Sequence, residues 1–401
     1  MRTLPLEKVA TFIRGVTFKP SDICEEDQPG SLWCMRTKNV QGELDLADVW
    51  SIPRSLVRRS EQILKTGDVL ISSANSWNLV GKCCWIPELK HEATFGGFVT
   101  TLRANPSEIY PRYLYRWFAS PRIQATVRSF GRQTTNISNL DIRRCLALDV
   151  PVPSAEEQRR IAAILDQADE LRRKRRRAAS LLDDLAQSTF LDMFGTSFED
   201  MRRQWPMRTL GSLSTVFSDG PFGSNLKSSH YRDSGIRVIR LQNIGVGRFI
   251  DDDTAFISEE YFARLHKHTC LPGDVIIGTL GDPNLRAFVQ PPEVAVALNK
   301  ADCVQMRVDP TKAATAYISA LLNQPIIERM AKSLMHGQTR TRISMGQLRE
   351  MEVPVPPLQL QHEFGIRSEL LTNQRSRHND SLAELDELFS SLQAKAFRGE
   401  L

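Results

Sequence analysis

Two short runs carry side chains suited to reading the edges of base pairs. Met35-Arg-Thr-Lys-Asn-Val40 and Ile239-Arg-Leu-Gln-Asn-Ile244 each set an arginine three residues ahead of an asparagine, with Lys38 or Gln242 between them. In a major groove, Arg suits guanine and Asn or Gln suits adenine, each through paired hydrogen bonds. Arg36, Lys38, Asn39, Arg240, Gln242 and Asn243 are therefore candidate nucleic-acid contacts. The competing use of the two asparagines is to cap a turn after a strand. Two further runs, Gly131 to Asn136 and Gly337 to Arg342, are Gly-led, polar and cationic. Arg132, Gln133, Thr134 and Asn136 in the first, and Gln338, Thr339, Arg340 and Arg342 in the second, offer amide, hydroxyl and guanidinium groups to phosphate or bases. The alternative is a solvated loop ahead of a strand. Lys227 and Arg248 suit phosphate, although lone surface cations are commonly just hydrated. Trp77 lies in the polar stretch SSANSWNLVG, where an aromatic can stack or wedge against a base; packing into the core is the expectation for it.

Chemistry of other kinds lacks its residues. The pair Gly81-Lys82 is followed by Cys83 and has Ser76 at the first-glycine position, so no phosphate-cradling loop of the motor type is formed. Neither Asp282-Pro-Asn284 nor Asp309-Pro-Thr311 supplies the Asn/Asp-Pro-Pro-aromatic loop of an amino-methyltransferase. No persuasive carboxylate and lysine cluster suggests a metal nuclease. His266-x-His268 lacks further ligands nearby and reads as surface histidines. The seven cysteines are odd in number and contain no CxxC pair, which argues against a disulfide framework or a structural zinc site and for a reducing cytoplasm. The expectation is a chain with no catalytic residues that binds no metal or cofactor of its own.

These runs sit inside a repeat. Val150-Pro-Val-Pro153 returns as Val353-Pro-Val-Pro356, 203 positions later, each followed by a helix-like stretch with Gln158 or Gln361. Lys65-Thr-Gly-Asp-Val-Leu-Ile71 answers Leu271-Pro-Gly-Asp-Val-Ile-Ile277, a turn whose Gly supplies a permissive backbone ahead of an apolar strand. Asn105-Pro106 answers Asp309-Pro310, and Ile137-Ser138 answers Ile343-Ser344. A period near 200 residues exceeds any solenoid repeat, so the chain reads as two copies of one mixed α/β domain, each followed by a helix. A length of 401 residues suits two domains with ordinary cores. Hydrophobic content of 41% and charged content of 25%, without a long apolar run, argue against membrane insertion. The charged start MRTLPLEKVATF argues against an export signal. A net charge of +5 permits nucleic acid as a partner without requiring it.

After each VPVP the apolar period becomes helical. Ile161, Leu171, Leu182 and Leu185 in the first copy, and Leu371, Leu385, Leu388 and Leu392 in the second, recur at steps of three, four or seven and their multiples. Each helix would span ~60 Å, and its stripe must be buried, with the other copy's helix as the expected antiparallel partner. The dense cationic run Arg172 to Arg177 lies mid-helix between acidic stretches, which places it against solvent or an acidic partner helix. Contact with phosphate there is the minority reading.

Taken together, the chain resembles the specificity subunits of type I restriction-modification systems. The resemblance rests on Asp219-Gly-Pro-Phe-Gly-Ser224, the Arg240-x-x-Asn-Ile244 strand, the Gly-Asp-Val turns, and the duplicated VPVP junctions with Gln158 and Gln361. It adds Phe222 and Ser224 to the candidate DNA contacts. The first copy departs from it, with FIRGVTFKPSDI in place of the Asp219 run. The resemblance implies an α/β (α+β) architecture: two target-recognition domains, 1–153 and 196–356, joined by antiparallel coiled-coil spacer helices, 154–195 and 357–401, with pseudo-twofold symmetry. It further implies that the chain reads a bipartite, asymmetric double-stranded DNA target. It implies a docking place for methyltransferase subunits, two of them expected, and for restriction subunits, with S-adenosylmethionine, ATP and Mg on those partners. The alternative from another class is an assembly scaffold whose domains bind protein.

Overall fold

The computed structural model describes residues 2–25, 28–133, 137–281, 283–332 and 342–401, with the side chains of Arg132 and Gln133 outside the description. Two compact units emerge: Met1–Arg175 with Asp380–Leu401, and Arg176–Asn379. Each unit therefore holds one mixed α/β domain and part of both long helices, a different grouping from the four consecutive segments expected.

In the first unit, β1 (Arg2–Pro5), β2 (Ala10–Arg14), β3 (Val69–Ser72), β4 (Cys83–Trp85), β5 (Val99–Ala104) and β6 (Asp149–Val152) form two of its sheets. The larger has the order β2-β5-β3-β4 and is antiparallel throughout. Val69 and Ile71 enter one core and Leu70 another, so alternate residues of β3 serve both faces of the sheet. That is why Asp68 is followed by a continuous apolar run instead of an alternating one. On one face lies α1 (Pro111–Phe118), with Tyr113, Leu114, Trp117 and Phe118 buried. The same core takes Ile161, Ala162, Leu165 and Ala168 from α2 (Ala155–Phe194).

The second unit repeats this plan. Its β7 (Met207–Thr209), β8 (Ser214–Ser218), β9 (Val275–Gly278), β10 (Ala287–Val289), β11 (Cys303–Val308) and β12 (Glu352–Pro354) are counterparts of β1 to β6. The main sheet has the corresponding order β8-β11-β9-β10. The helix α3 (Thr315–Leu322) answers α1, and α4 (Leu358–Arg398) answers α2. Phe190, Phe194 and Phe364 from the two long helices pack with Tyr317 in its core.

Both VPVP stretches form paired strands: β6 lies antiparallel to β1, with Leu4 opposite Val150, and β12 lies antiparallel to β7, with Arg208 opposite Val353. A proline in a two-stranded ribbon loses only an outward donor, so the ribbon tolerates it. The exit is fixed by duplicated hydrogen bonds. The Tyr113 hydroxyl donates to the Pro151 carbonyl at 2.9 Å, and Tyr317 to Pro354 at 2.7 Å. Gln158 Oε1 accepts from the Tyr110 N–H at 2.7 Å while its Nε2 donates to the Pro153 carbonyl at 3.0 Å. Gln361 does the same with the Ala314 N–H at 2.8 Å and the Pro356 carbonyl at 2.7 Å. Each glutamine thus ties the first turn of α1 or α3 to the chain that starts a long helix, and both side chains are buried.

The expected helical stripe needs correction. Ile161 is buried, and Leu182, Leu371, Leu385 and Leu392 are partly so, but Leu171, Leu185 and Leu388 are about half exposed. Ala162, Leu165 and Phe389 take buried places, because in the first unit the helices pack on the α/β domain as well as on each other. Within the first unit, α2 and α4 meet antiparallel through Arg172 and Asp386; within the second they meet through Asp183 and Arg375 at 3.0 Å. Of the cationic run, Arg172 also bonds Asp169 at 3.1 Å and lies over Phe389, Arg173 pairs with Glu43, and Lys174 pairs with Glu170 at 2.8 Å.

Candidate nucleic-acid interface

The Arg-x-x-Asn runs form the same turn twice. Asn39 Oδ1 accepts from the Arg36 N–H at 2.7 Å, and its Nδ2 donates to the carbonyls of Asp45 and Asp48. Asn243 repeats this with the Arg240 N–H at 2.9 Å and the carbonyls of Ile250 and Asp253. Both asparagines are buried, and their amides staple a loop to the end of a strand, the turn-capping use. Their neighbours converge on one carboxylate per unit. Arg36 bonds Asp48 at 2.7 Å and stacks 3.9 Å over Trp50, and Lys38 reaches the other Asp48 oxygen at 2.6 Å. The Lys38 hydrogen bond is the largest of the influences holding the Asp48 carboxyl below its ordinary range. In the second unit Arg240 and Gln242 both bond Asp253, and Arg240 lies 5.6 Å from the Tyr231 ring. Asp48 and Asp253 were not among the residues singled out from the sequence. They follow their asparagines by nine and ten positions, so no single offset marks them in the sequence. Lys38 and Gln242 are the exposed members of each set.

The Gly-led runs fall partly outside the described residues: Thr134, Asn136, Gln338, Thr339 and Arg340 do, as do the side chains of Arg132 and Gln133. The backbone of Arg132–Gln133 pairs with Ser138–Asn139, which pairs in turn with Ala74–Asn75. Trp77, expected in the core, follows that edge and is 54% exposed, because the turn carrying it projects beyond the strands. Beside it, Phe98 closes the turn after Gly96-Gly97, accepts from the N–H groups of Ser73 and Ala74 at 3.0 and 3.2 Å, and is 67% exposed. Sequence reading missed Phe98; an aromatic directly after two glycines at a strand start was its signal. Outward aromatics of this kind present a face on which a base can stack.

In the second unit the position of Phe98 is taken by Asp302, by the register of β5 and β11. Asp302 pairs with Arg342 at 2.9 Å, and the Arg342 guanidinium lies 5.0 Å from the ring of Phe222. Phe222 is 40% exposed, and Ser224, Lys227 and Arg248 are exposed. Lys227 contributes its N–H to His230 Nδ1 at 3.1 Å, and Arg248 lies in a separate cavity of this unit. The chain leaves β2 and β8 alike: a Cβ at Gly15 or at Gly220 would lie within 2.2 Å of Gly96 or Lys300 backbone atoms, so both need glycine.

Each unit also contains an ion pair with a buried aspartate. Asp68 takes both ends of the Arg103 guanidinium at 2.7 Å and caps the Lys65 N–H; Asp274 takes Arg307 at 2.8 Å and caps Leu271. The glycines ahead of these aspartates, Gly67 and Gly273, have φ of 97° and 89°, the left-handed region that the turn demands. Among the described residues, no helix is long and apolar enough to cross a membrane.

Comparison with known proteins agrees with this geometry. Residues 4–179 match the family model of the type I restriction modification DNA specificity domain. The chain is 26% identical to the EcoKI specificity subunit of Escherichia coli K12, over 99% of this chain and 88% of that one. It is 25% identical to the StySPI specificity subunit of Salmonella potsdam, over 100% and 89%. The crystal structure of a type I S subunit from M. genitalium shares the fold, with a TM-score of 0.58 at 17% identity over 99% of this chain and 96% of that one.

Proposed function

We infer that the chain is a specificity subunit of a type I restriction-modification system and serves as the DNA-recognition subunit of such a complex, from the family match over residues 4–179 and the likeness to two such subunits over nearly its whole length. The observation that carries the finer reading is a duplicated frame with unlike tips: Trp77 and Phe98 on one unit, Phe222 over Arg342 on the other. Two copies of one frame imitate a symmetric DNA-binding dimer, while unlike tips read unlike half-sites, giving a bipartite target that is not a palindrome. Lys38, Lys227 and the Gly-led runs would hold phosphate, and base readout would come from the tips and from Gln242. The turn-forming Asn39 and Asn243 would act behind them by holding the loop. The continuous helices α2 and α4 would set the spacing between half-sites.

The exposed Leu181, Leu185, Ile366 and Leu370 on the second unit, with Leu171 and Leu388 on the first, offer apolar surface to methyltransferase subunits, two of them in this reading, with restriction subunits joining for cleavage. S-adenosylmethionine, ATP and Mg would bind those partners, this chain would be non-catalytic, and the complex would act in the cytoplasm. The assembly-scaffold reading is not favoured, since the relatives are DNA-specificity subunits. The test is to replace residues 1–150 by the corresponding domain of another specificity subunit and map methylated bases in cells. One half of the target sequence is expected to change. A change in both halves, or in neither, would overturn the two-reader model.

A further inference from the structure

The second unit contains a cavity of about 580 Å³ where the first unit is filled by its own side chains. Equivalent positions follow from the shared hydrogen bonds: Tyr113 with Tyr317, Gln158 with Gln361, Gln41–Glu43 with Gly245–Arg248. In the first unit, Arg116 is 4% exposed and lies between Asp166 at 2.6 Å and Asp169 at 3.0 Å, with its guanidinium 5.9 Å from the Phe389 ring. Arg173 pairs with Glu43 across the same space. At the matching positions the second unit has Ala320 for Arg116, Thr372 for Asp169, Ala186 for Phe389, Ser376 for Arg173, and Arg248 for Glu43. Three large groups have become small, one carboxylate has become a hydroxyl, and one charge has reversed. Ala186, Arg248, Ala320 and Thr372 all line the cavity.

What remains on its walls is unspent. Arg248 and Arg286 have no ion pair among the described residues, and Arg286 Nε is buried without a hydrogen-bond partner. Gln324 is 6% exposed, and its Oε1 is likewise buried and unpartnered. Buried polar atoms without partners are uncommon, and a cluster of them beside a cavity marks groups that a ligand would satisfy. Of the acidic residues on the wall, Asp183 is taken by Arg375 and Glu328 by Lys332 at 3.3 Å, which leaves Asp184. Phe190, Phe364 and Leu371 give the apolar wall. The volume lies in the range of small-molecule sites.

We propose that this cavity binds an aromatic acid of up to nucleotide size, its ring replacing the missing Phe389 counterpart, its anion meeting Arg248 and Arg286, and a donor group reaching Gln324 Oε1. The site belongs to one unit only and needs no DNA. The test uses the full chain and 8-anilinonaphthalene-1-sulfonate as probe. One saturable site per chain is expected, with displacement by phenyl phosphate and not by equimolar inorganic phosphate. Ala186→Phe, which restores the residue type of the first unit, and Arg286→Gln should each weaken binding by about tenfold or more. Arg286→Gln, conservative in size, carries the test if Ala186→Phe fails to fold. Non-saturating probe binding, equal displacement by inorganic phosphate, or unchanged affinity in the folded variants would overturn the proposal.

Discussion

The two units agree in the side chains that tie turns, strands and helix starts together, and differ at their exposed tips and in the space beside the long helices. Tyr113 and Tyr317, Gln158 and Gln361, Asn39 and Asn243, and the Asp68–Arg103 and Asp274–Arg307 pairs are the same devices in the same places. Phe98 against Asp302, Arg116 against Ala320, and Glu43 against Arg248 share nothing. Duplication preserved the hydrogen-bonded frame because each of its members is buried, and losing one partner there leaves the other unsatisfied. At the tips no such penalty operates, so those positions were free to diverge.

The comparison is sharpened most by attacking the frame. Asp68→Ala strands the mostly buried Arg103 and should destabilise the first unit by about 3 kcal/mol or more, and Asp274→Ala, which strands the more exposed Arg307, should destabilise the second unit by less. Hydrogen exchange of each unit's sheet, followed separately, should show a loss in both, larger in the first; a loss in one unit alone would break the claim that the frame is shared. Next in size, Leu185→Lys combined with Ile366→Lys places charge in the proposed docking surface of the second unit, costing on the order of 2–4 kcal/mol of partner binding. Native mass spectrometry should then count one methyltransferase copy in place of two. Retention of both copies would remove the docking assignment.

At the tips, the effects should be one-sided. Phe98→Ala should weaken binding to DNA by about 1–3 kcal/mol with the melting temperature unchanged, and the loss should depend on the first unit's half-site alone. The same loss on DNA carrying a scrambled half-site would show that Phe98 reads nothing. Smallest is the contrast between Lys38 and Gln242, which hold matching positions. Lys38→Ala should reduce the slope of log affinity against log salt by about 1, and Gln242→Ala should leave that slope alone, as titrations at several salt concentrations would show.

The frame was legible in the sequence because its residues recur at a fixed offset: VPVP with its glutamine, the Gly-Asp turn, and the Arg-x-x-Asn run all pointed to duplicated local structure. The capping role of Asn39 was equally open to reading, since it needs only neighbours in the chain. Asp48 and Asp253 were missed because a pairing carboxylate lies across a loop and has no period. The expected helices, 154–195 and 357–401, compare with the observed 155–194 and 358–398, but Leu171, Leu185 and Leu388 were assigned inward on a heptad stripe. A helix packed on two different surfaces has no single stripe, and its partners, such as Tyr113 against Phe397, come from far along the chain. The cavity was hidden for the same reason: Ala186 and Ala320 are unremarkable until they face each other's side of one space.

The junction at Gln158 and Gln361 has a consequence for inheritance. Every bond it makes outside its own side chain is to a main-chain amide or carbonyl. A joint made this way does not register which residues compose the domain it holds. A gene segment exchanged between two such chains with its ends at the VPVP strands would arrive with this joint intact, however foreign its tips, so a new target could be acquired in a single recombination wherever the residues facing the long helices are kept.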